Sequence, residues 1–207
     1  MKCKTATAST FASTSSRSVR PRAWPVLAAL LALLTAPGAL HAATLADMRG
    51  HLGLGYAKLM NQGAPGGSLG VAAGVEMSVL SDLDLGAELG FDLLGGNTHE
   101  RGSVSADLDY SLIEGLLLLH WMPARGPFNR VSLGPGIFHA RAALSTGAPG
   151  LFQDLPVDET APGMGGGLEF GPKGKKTVKA GVEVAARAVW MEHETWTVGL
   201  ARLVVHY

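Results

Sequence analysis

Two short stretches of this chain combine a histidine with a serine and an acidic residue, the three types that acyl-transfer chemistry uses. One stretch contains His99, Glu100 and Ser103, and the other contains His139, Ser145 and Asp154. The serine must lie within hydrogen-bond reach of the histidine to become a nucleophile. Spacing along the chain does not establish that reach, and no catalytic motif surrounds either stretch. The sequence therefore predicts no catalytic residues.

A second possible chemistry is metal binding by Glu192, His193 and Glu194. Imidazole and carboxylate groups are ligands that Zn²⁺ accepts, but a polar connection exposed to water explains the same residues without a metal. The only cysteine, Cys3, lies in the N-terminal segment, so the rest of the chain offers no thiolate and no disulfide. The sequence predicts no metal-binding residues, no cofactor-binding residues and no cofactor.

Acidic residues also recur inside apolar stretches, at positions of one parity. In the stretch 83–93, Asp84, Glu88 and Asp92 alternate with leucine, alanine and phenylalanine. Three carboxylates on one face of a strand require partners or water, because burying an unpaired charge is costly. We expect them to join a network with basic residues, namely Arg49, Arg141, Lys179, Arg187 and Arg202. A narrow proton or ion path would use the same residues, and nothing in the sequence selects it.

Alternation of this kind runs through most of the chain, and it has the period of a β-strand, in which successive side chains point to opposite faces. It predicts eight strands, at 47–59, 68–79, 83–93, 104–121, 130–144, 160–170, 177–190 and 195–207. Short connections follow strands two, four and six, whereas the connections 95–102 and 145–158 are longer and polar. The predicted fold is all-β, with the strands arranged up and down.

Two of these strands are irregular. In the fourth, the apolar positions change parity near residues 113–115, which predicts a bulge, with a buried helical turn at 112–119 as the alternative. In the fifth, Pro135 marks an edge or a bulge, because proline cannot donate to the ladder.

Alternation alone does not separate a soluble barrel or sandwich from a membrane barrel. Glycine and alanine fill much of the polar face, as a narrow eight-stranded interior requires. Six aromatic residues lie on the apolar parity near strand ends: Tyr56, Phe91 and Trp190 at one end and Trp121, Phe170 and Tyr207 at the other. Such belts are typical of the two interfaces between a membrane and water. The pattern favours a barrel with its apolar face toward lipid.

The N-terminal segment predicts export. Residues 1–25 contain five basic residues and no acidic one, an apolar run at 26–36 follows, and small residues come next. This order is typical of a secretory signal peptide, which we assign to 1–42, with the barrel domain at 44–207. Without the leader, 12 basic residues remain against 17 acidic ones, a net charge of −5. Such a charge argues against a nucleic-acid partner, which needs a basic face.

Three stretches resemble a known family: 83–93, Val131-Ser-Leu-Gly-Pro-Gly136 and the terminal Leu203-Val-Val-His-Tyr207. They are similar to the small eight-stranded outer-membrane barrels of the outer-membrane protein A, outer-membrane protein X and opacity-protein type. The resemblance implies an antiparallel transmembrane β-barrel in a Gram-negative outer membrane, with both termini in the periplasm. It also implies contact with outer-membrane lipid and recognition of the last strand, which ends in an aromatic residue, by the barrel-assembly machinery.

For function, the sequence favours a non-enzymatic barrel with a plugged polar interior and a structural or surface-interaction role. Recognition would fall to the loops 95–102 and 145–158, since loops on a rigid scaffold commonly carry it; their ligand is unknown. Two alternatives stay open. One is a lipid-modifying barrel enzyme, a lipid A acyl hydrolase or transferase, and the other is a soluble periplasmic lipocalin-like binder.

Overall fold

The computed structural model describes residues 48–61, 66–146, 157–172 and 178–207; the predicted leader lies outside these ranges. Eight antiparallel strands form a closed barrel in chain order, with β1 paired to β8. The strands are β1 (Met48–Leu59), β2 (Ser68–Leu80), β3 (Leu83–Arg101), β4 (Val104–Trp121), β5 (Arg130–Ser145), β6 (Val157–Phe170), β7 (Lys179–Trp190) and β8 (Thr195–His206). The predicted all-β, eight-stranded up-and-down architecture is confirmed. No helix within the described residues is long and apolar enough to span a membrane.

The two faces of the wall differ in the way that the alternation predicts. We call the end of the barrel that holds Met48 and Tyr207 the terminal end, and the opposite end the loop end. Large apolar side chains point outward and are exposed, with Leu89 at 71 % and Ile137 at 66 %. Charged side chains of the same strands point inward, and Asp84 and Asp92 are fully buried. The barrel therefore has an apolar exterior and a charged interior over the half nearest the terminal end.

Strand β4 keeps a single alternation along its whole length, so the bulge predicted at 113–115 and the alternative helical turn are both wrong. Even-numbered side chains face inward throughout. Near the loop end the inward residues are apolar and the outward ones polar, namely Ala106, Leu108 and Leu112 against Ser105, Asp107 and Asp109. Toward the terminal end Glu114 and His120 face inward, while Leu117 and Trp121 face outward. The apolar positions change parity in the sequence because they lie on the inward face near the loop end and on the outward face toward the terminal end.

The prediction of a polar loop at 95–102 is also wrong, because most of these residues belong to a strand. Strand β3 continues to Arg101, after a register irregularity between Leu93 and Gly95. A two-residue turn then leads into β4, with Gly102 at a φ of 66°, a conformation that glycine adopts at little cost. Strands β3 to β6 have 14 to 19 residues, whereas the other four have 12 or 13. One side of the wall therefore extends further toward the loop end.

Pro135 lies inside β5 rather than at an edge or bulge. It pairs in register with Met164 of β6, but the ladder to β4 is interrupted between the pairs Leu116–Gly136 and Leu119–Leu133. The missing proline N–H thus opens a local gap in one ladder without shifting its register.

Inward glycines provide the space for large polar side chains of neighbouring strands. A Cβ at Gly90 would lie 2.6 Å from Cγ of Glu114, and one at Gly181 would lie 2.6 Å from Oε1 of Glu169. Likewise, a Cβ at Gly74 would lie 2.6 Å from Nε2 of His51. The glycines of the polar face are therefore needed for packing, because protein interiors leave few voids and tolerate little extra volume.

The loop-end half of the interior is an apolar core. Its buried members include Leu59, Leu94, Leu112, Phe138, Val189, Trp196, Val198 and Leu200. Trp196 is edge-on to Tyr110, with ring centroids 5.7 Å apart, and its indole N–H donates to Glu194 at 2.6 Å. Trp196, Val198 and Leu200, on the inward face of β8, belong to this core.

Closure of the barrel joins its first and last strands. Gly50 and Tyr207 exchange two backbone hydrogen bonds of 3.0 Å, and the Tyr207 ring lies over Gly50, where a Cβ would be 2.6 Å from the ring. The same seam places His51 directly opposite His206. The six predicted belt aromatics all lie on the outward face.

Candidate functional site

The middle of the interior is occupied by an ion cluster that connects four strands. We call it the central cluster; it consists of Glu88, Asp92, Glu114, Arg187 and Arg202. Nε of Arg187 donates to Oε2 of Glu114 at 2.7 Å, and its Nη2 donates to Oε1 of Glu88 at 3.0 Å. Arg202 donates to all three carboxylates, at 2.9 to 3.0 Å. The two guanidinium groups thus connect strands β7 and β8 to β3 and β4 across the lumen.

Every member of the central cluster is at least 95 % buried, with Glu88 the most exposed at 5 %. Charges removed from water in this way are tolerable only when paired and hydrogen-bonded. The cluster meets that requirement with multiple charge-assisted hydrogen bonds, which are the strong kind.

A second polar layer lies between the central cluster and the terminal end. We call it the histidine layer; its buried members are His51, Glu76, Asp84, His120, Arg130, Ser132, Glu169 and His206. Arg130 donates to both oxygens of Glu76, with the Nη2–Oε1 distance at 2.9 Å. Arg49 donates to Asp84 from the end of β1 and lies 3.8 Å from Glu76.

Three histidines line this layer, and each has one ring nitrogen engaged. Nε2 of His51 lies 3.1 Å from Glu88, and Nε2 of His206 lies 2.9 Å from Glu169. Nδ1 of His120 lies 2.8 Å from the Ser132 hydroxyl. The other nitrogen of each ring has no hydrogen-bond partner in the described structure. Three buried imidazoles with an unused nitrogen each are thus gathered at one level of the lumen.

The charge of the inward face is unbalanced. In the described residues, the central cluster, the histidine layer and the strand ends beside them contain seven inward carboxylates and five inward cations. The acids are Glu76, Asp84, Glu88, Asp92, Glu114, Glu169 and Glu183, and the cations are Arg49, Arg130, Lys179, Arg187 and Arg202. With neutral histidines, this part of the lumen has an excess of two negative charges.

The predicted interior network is largely present. Asp84, Glu88 and Asp92 pair with Arg49, Arg187 and Arg202. Arg141 was wrongly included, because its side chain is exposed on the outer face between the buried Ala140 and Ala142. The outer wall of β5 is polar at this height, which suits an arginine in water.

The candidate acyl-transfer residues are not assembled into a catalytic group. Nδ1 of His139 lies 3.2 Å from the Thr160 hydroxyl and its Nε2 lies 3.6 Å from Asp158. Ser145 is six residues further along the same strand, roughly 20 Å away at the rise of a β-strand. Asp154 lies outside the described residues.

In the other stretch, Ser103 is in the exposed turn between β3 and β4, and His99 and Glu100 belong to β3. The candidate metal residues lie in the exposed turn between β7 and β8, where the Glu192 backbone N–H donates to Glu159 and Glu194 accepts from Trp196.

Sequence reasoning missed the histidine layer. In the sequence, His51 and His206 occupy inward positions in the alternation of their strands. Those positions were the sequence signal that could have indicated the histidine layer. Their proximity arises from the β1–β8 pairing, and Arg130 reaches Glu76 over 54 residues of chain. Alternation gives the face of each residue but does not give the register between distant strands.

No protein-family model matches this chain, and no curated protein matches it. Among solved structures, it is similar to Neisserial surface protein A, at 12 % identity and a TM-score of 0.46, over 77 % of this chain and 96 % of that chain. It is also similar to Ail, the attachment invasion locus protein of Yersinia pestis, at 14 % identity and a TM-score of 0.45, over 77 % and 97 % of the two chains. The N-terminal β-barrel domain of Pseudomonas aeruginosa OprF matches at 10 % identity and a TM-score of 0.40, over 78 % and 98 %. The resemblance to small outer-membrane barrels predicted from the sequence agrees with the closed eight-stranded barrel that the chain's own strand pairing forms.

Proposed function

We propose that this protein is an integral outer-membrane β-barrel with a closed interior, which serves a structural or surface-interaction role and catalyses no reaction. The observation that carries the proposal is the distribution of polarity across the wall. Exposed leucine, valine and isoleucine alternate with buried glutamate, aspartate and arginine. Such an exterior suits lipid, and a soluble barrel would present the charged face to water.

The export signal and the topology support a defined orientation. Residues 1–42 act as the leader and 44–207 form the barrel. An even number of strands puts both termini on one side, the periplasm, and directs the loop end to the cell exterior. The aromatic C-terminal residue Tyr207, on the strand that closes the barrel, serves in recognition by the assembly machinery.

The closed interior is supported by its contents. The apolar core occupies the loop-end half and the central cluster crosses the middle. We therefore expect planar-bilayer recordings of the refolded protein to show no stable large conductance steps. Regular steps of that kind would contradict a closed lumen.

A surface role is supported by the taller wall of β3 to β6. Its outward residues near the loop end are polar or charged, including Thr98, Glu100, Asp107, Asp109 and Asp158. A rigid polar wall above the apolar band offers a contact surface in water. Two observations support the absence of a catalytic role. The candidates His139 and Ser145 lie far apart on one strand. Ser132 does contact His120, but His120 has no acid hydrogen-bonded to it in the described structure.

Cell fractionation tests the proposal. The mature protein is expected in the outer-membrane fraction, with a mobility in detergent gels that changes on heating. Recovery as soluble periplasmic protein would contradict membrane integration. Overexpression is expected to leave the composition of lipid A unchanged; a new or missing acyl chain would contradict the non-enzymatic role.

A further inference from the structure

The seam of the barrel gathers three groups with the geometry of a metal site. His51 of β1, His206 of β8 and Glu76 of β2 each offer one ligand atom, and these atoms lie within 4.8 Å of one another. The rings of His51 and His206 have centroids 5.7 Å apart. Exposures of 4 %, 8 % and 2 % leave all three residues out of bulk water.

The orientation of both imidazoles suits metal binding. Each Nε2 is held by a carboxylate, Glu88 for His51 and Glu169 for His206. A proton on Nε2 that is donated to a carboxylate leaves the lone pair of a neutral ring on Nδ1. Both Nδ1 atoms lack a hydrogen-bond partner in the described structure. Carboxylates that orient ligating histidines in this way are a recurrent feature of metal sites.

Glu76 provides the third ligand atom. Its Oε1 lies 3.9 Å from Nδ1 of His206, while Oε2 is hydrogen-bonded to Arg130. Ligand atoms around a tetrahedral zinc ion with bonds of about 2.0–2.1 Å are separated by roughly 3.3 Å. The site therefore needs a modest contraction, with Oε2 remaining on Arg130 while Oε1 turns to the metal.

Space and charge also favour a cation. A cavity of about 10 Å³ lies beside the ligands and is lined by His51, His206, Glu88 and Glu169 among others, which is roughly the room for one water molecule. The excess of carboxylates over cations in this part of the lumen attracts positive charge. Glycine at position 74 makes room for the His51 ring, since a Cβ there would overlap it.

We propose that His51, His206 and Glu76 bind one divalent transition-metal ion of the zinc class, through the two Nδ1 atoms and Oε1. A solvent molecule from the adjacent cavity would complete four-coordination. The metal enters from the terminal end, since the apolar core fills the other half. It connects β1, β2 and β8 and so stabilises the seam at which the barrel closes. This site lies beyond the proposed function, which needs no metal.

The test uses the mature barrel refolded in detergent, with its folded state verified by heat-modifiable mobility. Titration with Co²⁺ is expected to give one equivalent of the intense visible absorption of a tetrahedral site, and Zn²⁺ is expected to displace it. His51→Gln and His206→Gln each keep a donor for the facing carboxylate but lose the ligating nitrogen. We expect each variant to lower the affinity about tenfold or more, the size of effect seen when metal sites lose supporting groups.

The matched control changes the three histidines nearest the loop end, His99, His139 and His193, to Gln together, and it is expected to bind like the wild type. Absence of saturable Co²⁺ or Zn²⁺ binding by the wild-type barrel would overturn the proposal. Full affinity in folded His51→Gln or His206→Gln would overturn it as well, as would loss of binding in the control alone.

A stability measurement keeps the proposal testable if one variant does not refold. A ligand that binds only the folded state raises the free energy of unfolding, so Zn²⁺ is expected to raise the urea midpoint of the wild type. It should raise the midpoint of whichever histidine variant folds by less than that of the wild type, because the variant binds Zn²⁺ more weakly. A Zn²⁺ effect of equal size in wild type and variant would contradict the site.

Discussion

At the scale of single residues, stability of this barrel depends on completing its buried charge network. Arg202 contacts Glu88, Asp92 and Glu114, and Arg187 contacts two of the same carboxylates. A buried ion pair contributes little net stability compared with apolar residues of the same volume, but removing one partner leaves an uncompensated charge. The guanidinium groups are therefore needed because the carboxylates are present.

Arg202→Met is expected to lower the free energy of unfolding by about 3–5 kcal/mol, because it leaves the buried Asp92 without its ion-pair partner and leaves Glu88 and Glu114 to share Arg187. Urea titration of the refolded barrel, followed by tryptophan fluorescence, measures the change. Arg125→Met is the control, since Arg125 is exposed in the connection between β4 and β5, and it should stay within about 0.5 kcal/mol of the wild type. Equal midpoints for the two variants would refute the account of the central cluster.

Gly90→Ala is expected to destabilise the barrel by about 1–3 kcal/mol, because the added methyl overlaps Glu114 and overpacks the interior. Gly115→Ala is the matched control. Its Cβ would meet no atom closer than 3.6 Å, from Leu89 on the outer face. Thermal or urea unfolding of both proteins decides the point, and a Gly90→Ala barrel as stable as Gly115→Ala would show that the glycine is not required for space.

At the scale of elements, the strands could be predicted because a period of two is local. The positions of all eight agree with the structure to within a few residues, except that β3 continues to Arg101 where a loop was expected. The errors in β4 and β5 came from the assumption that one face of a strand stays apolar along its whole length. In β4 and β5 the outward face is apolar in one half and polar in the other, so a constant alternation looked like a bulge at 113–115 and placed Arg141 inside.

The site was less predictable than the strands, because it depends on register between strands far apart in the sequence. His51 faces His206 only after β1 pairs with β8, and that pairing follows from closure of the whole sheet. Alternation assigned both residues to the inner face but could not bring them to one level of the lumen. The charged pairs of β3 with β7 and β8 depend on the same closure.

The seam itself can be tested by a cross-link. Leu54 and Leu203 are Cα partners across β1 and β8 and both point outward. Antiparallel partners have Cα atoms about 4.5–5.5 Å apart, within the range of a disulfide. In a Cys3→Ser background, Leu54→Cys with Leu203→Cys is expected to form a disulfide on mild oxidation, detected as a mobility shift that a reductant reverses.

The control for the cross-link combines Leu54→Cys with Leu133→Cys, which lies on β5, a strand that does not pair with β1. It is expected to remain reduced within one molecule. If the seam pair fails to cross-link, or if the control cross-links equally well, the β1–β8 closure is contradicted.

At the scale of the whole molecule, the barrel consists of two halves with opposite polarity. Near the terminal end it is charged inside and apolar outside, and near the loop end β4 and β5 are apolar inside and polar outside. The first arrangement suits lipid and the second suits water, so the boundary between them marks the expected edge of the apolar layer of the membrane. The apolar core gives the loop-end half the packing of a soluble barrel.

The most direct test of this account measures which outward positions meet lipid. Nitroxide labels at Leu89→Cys and Ile137→Cys, in barrels reconstituted in vesicles, are expected to collide more with oxygen than with a water-soluble nickel chelate. Labels at Asp107→Cys and Asp109→Cys, on the outward face above the apolar band, are expected to show the reverse. If the Leu89 and Ile137 labels were as accessible to the nickel chelate as those at Asp107 and Asp109, the apolar face would not lie in the membrane and the account would be wrong.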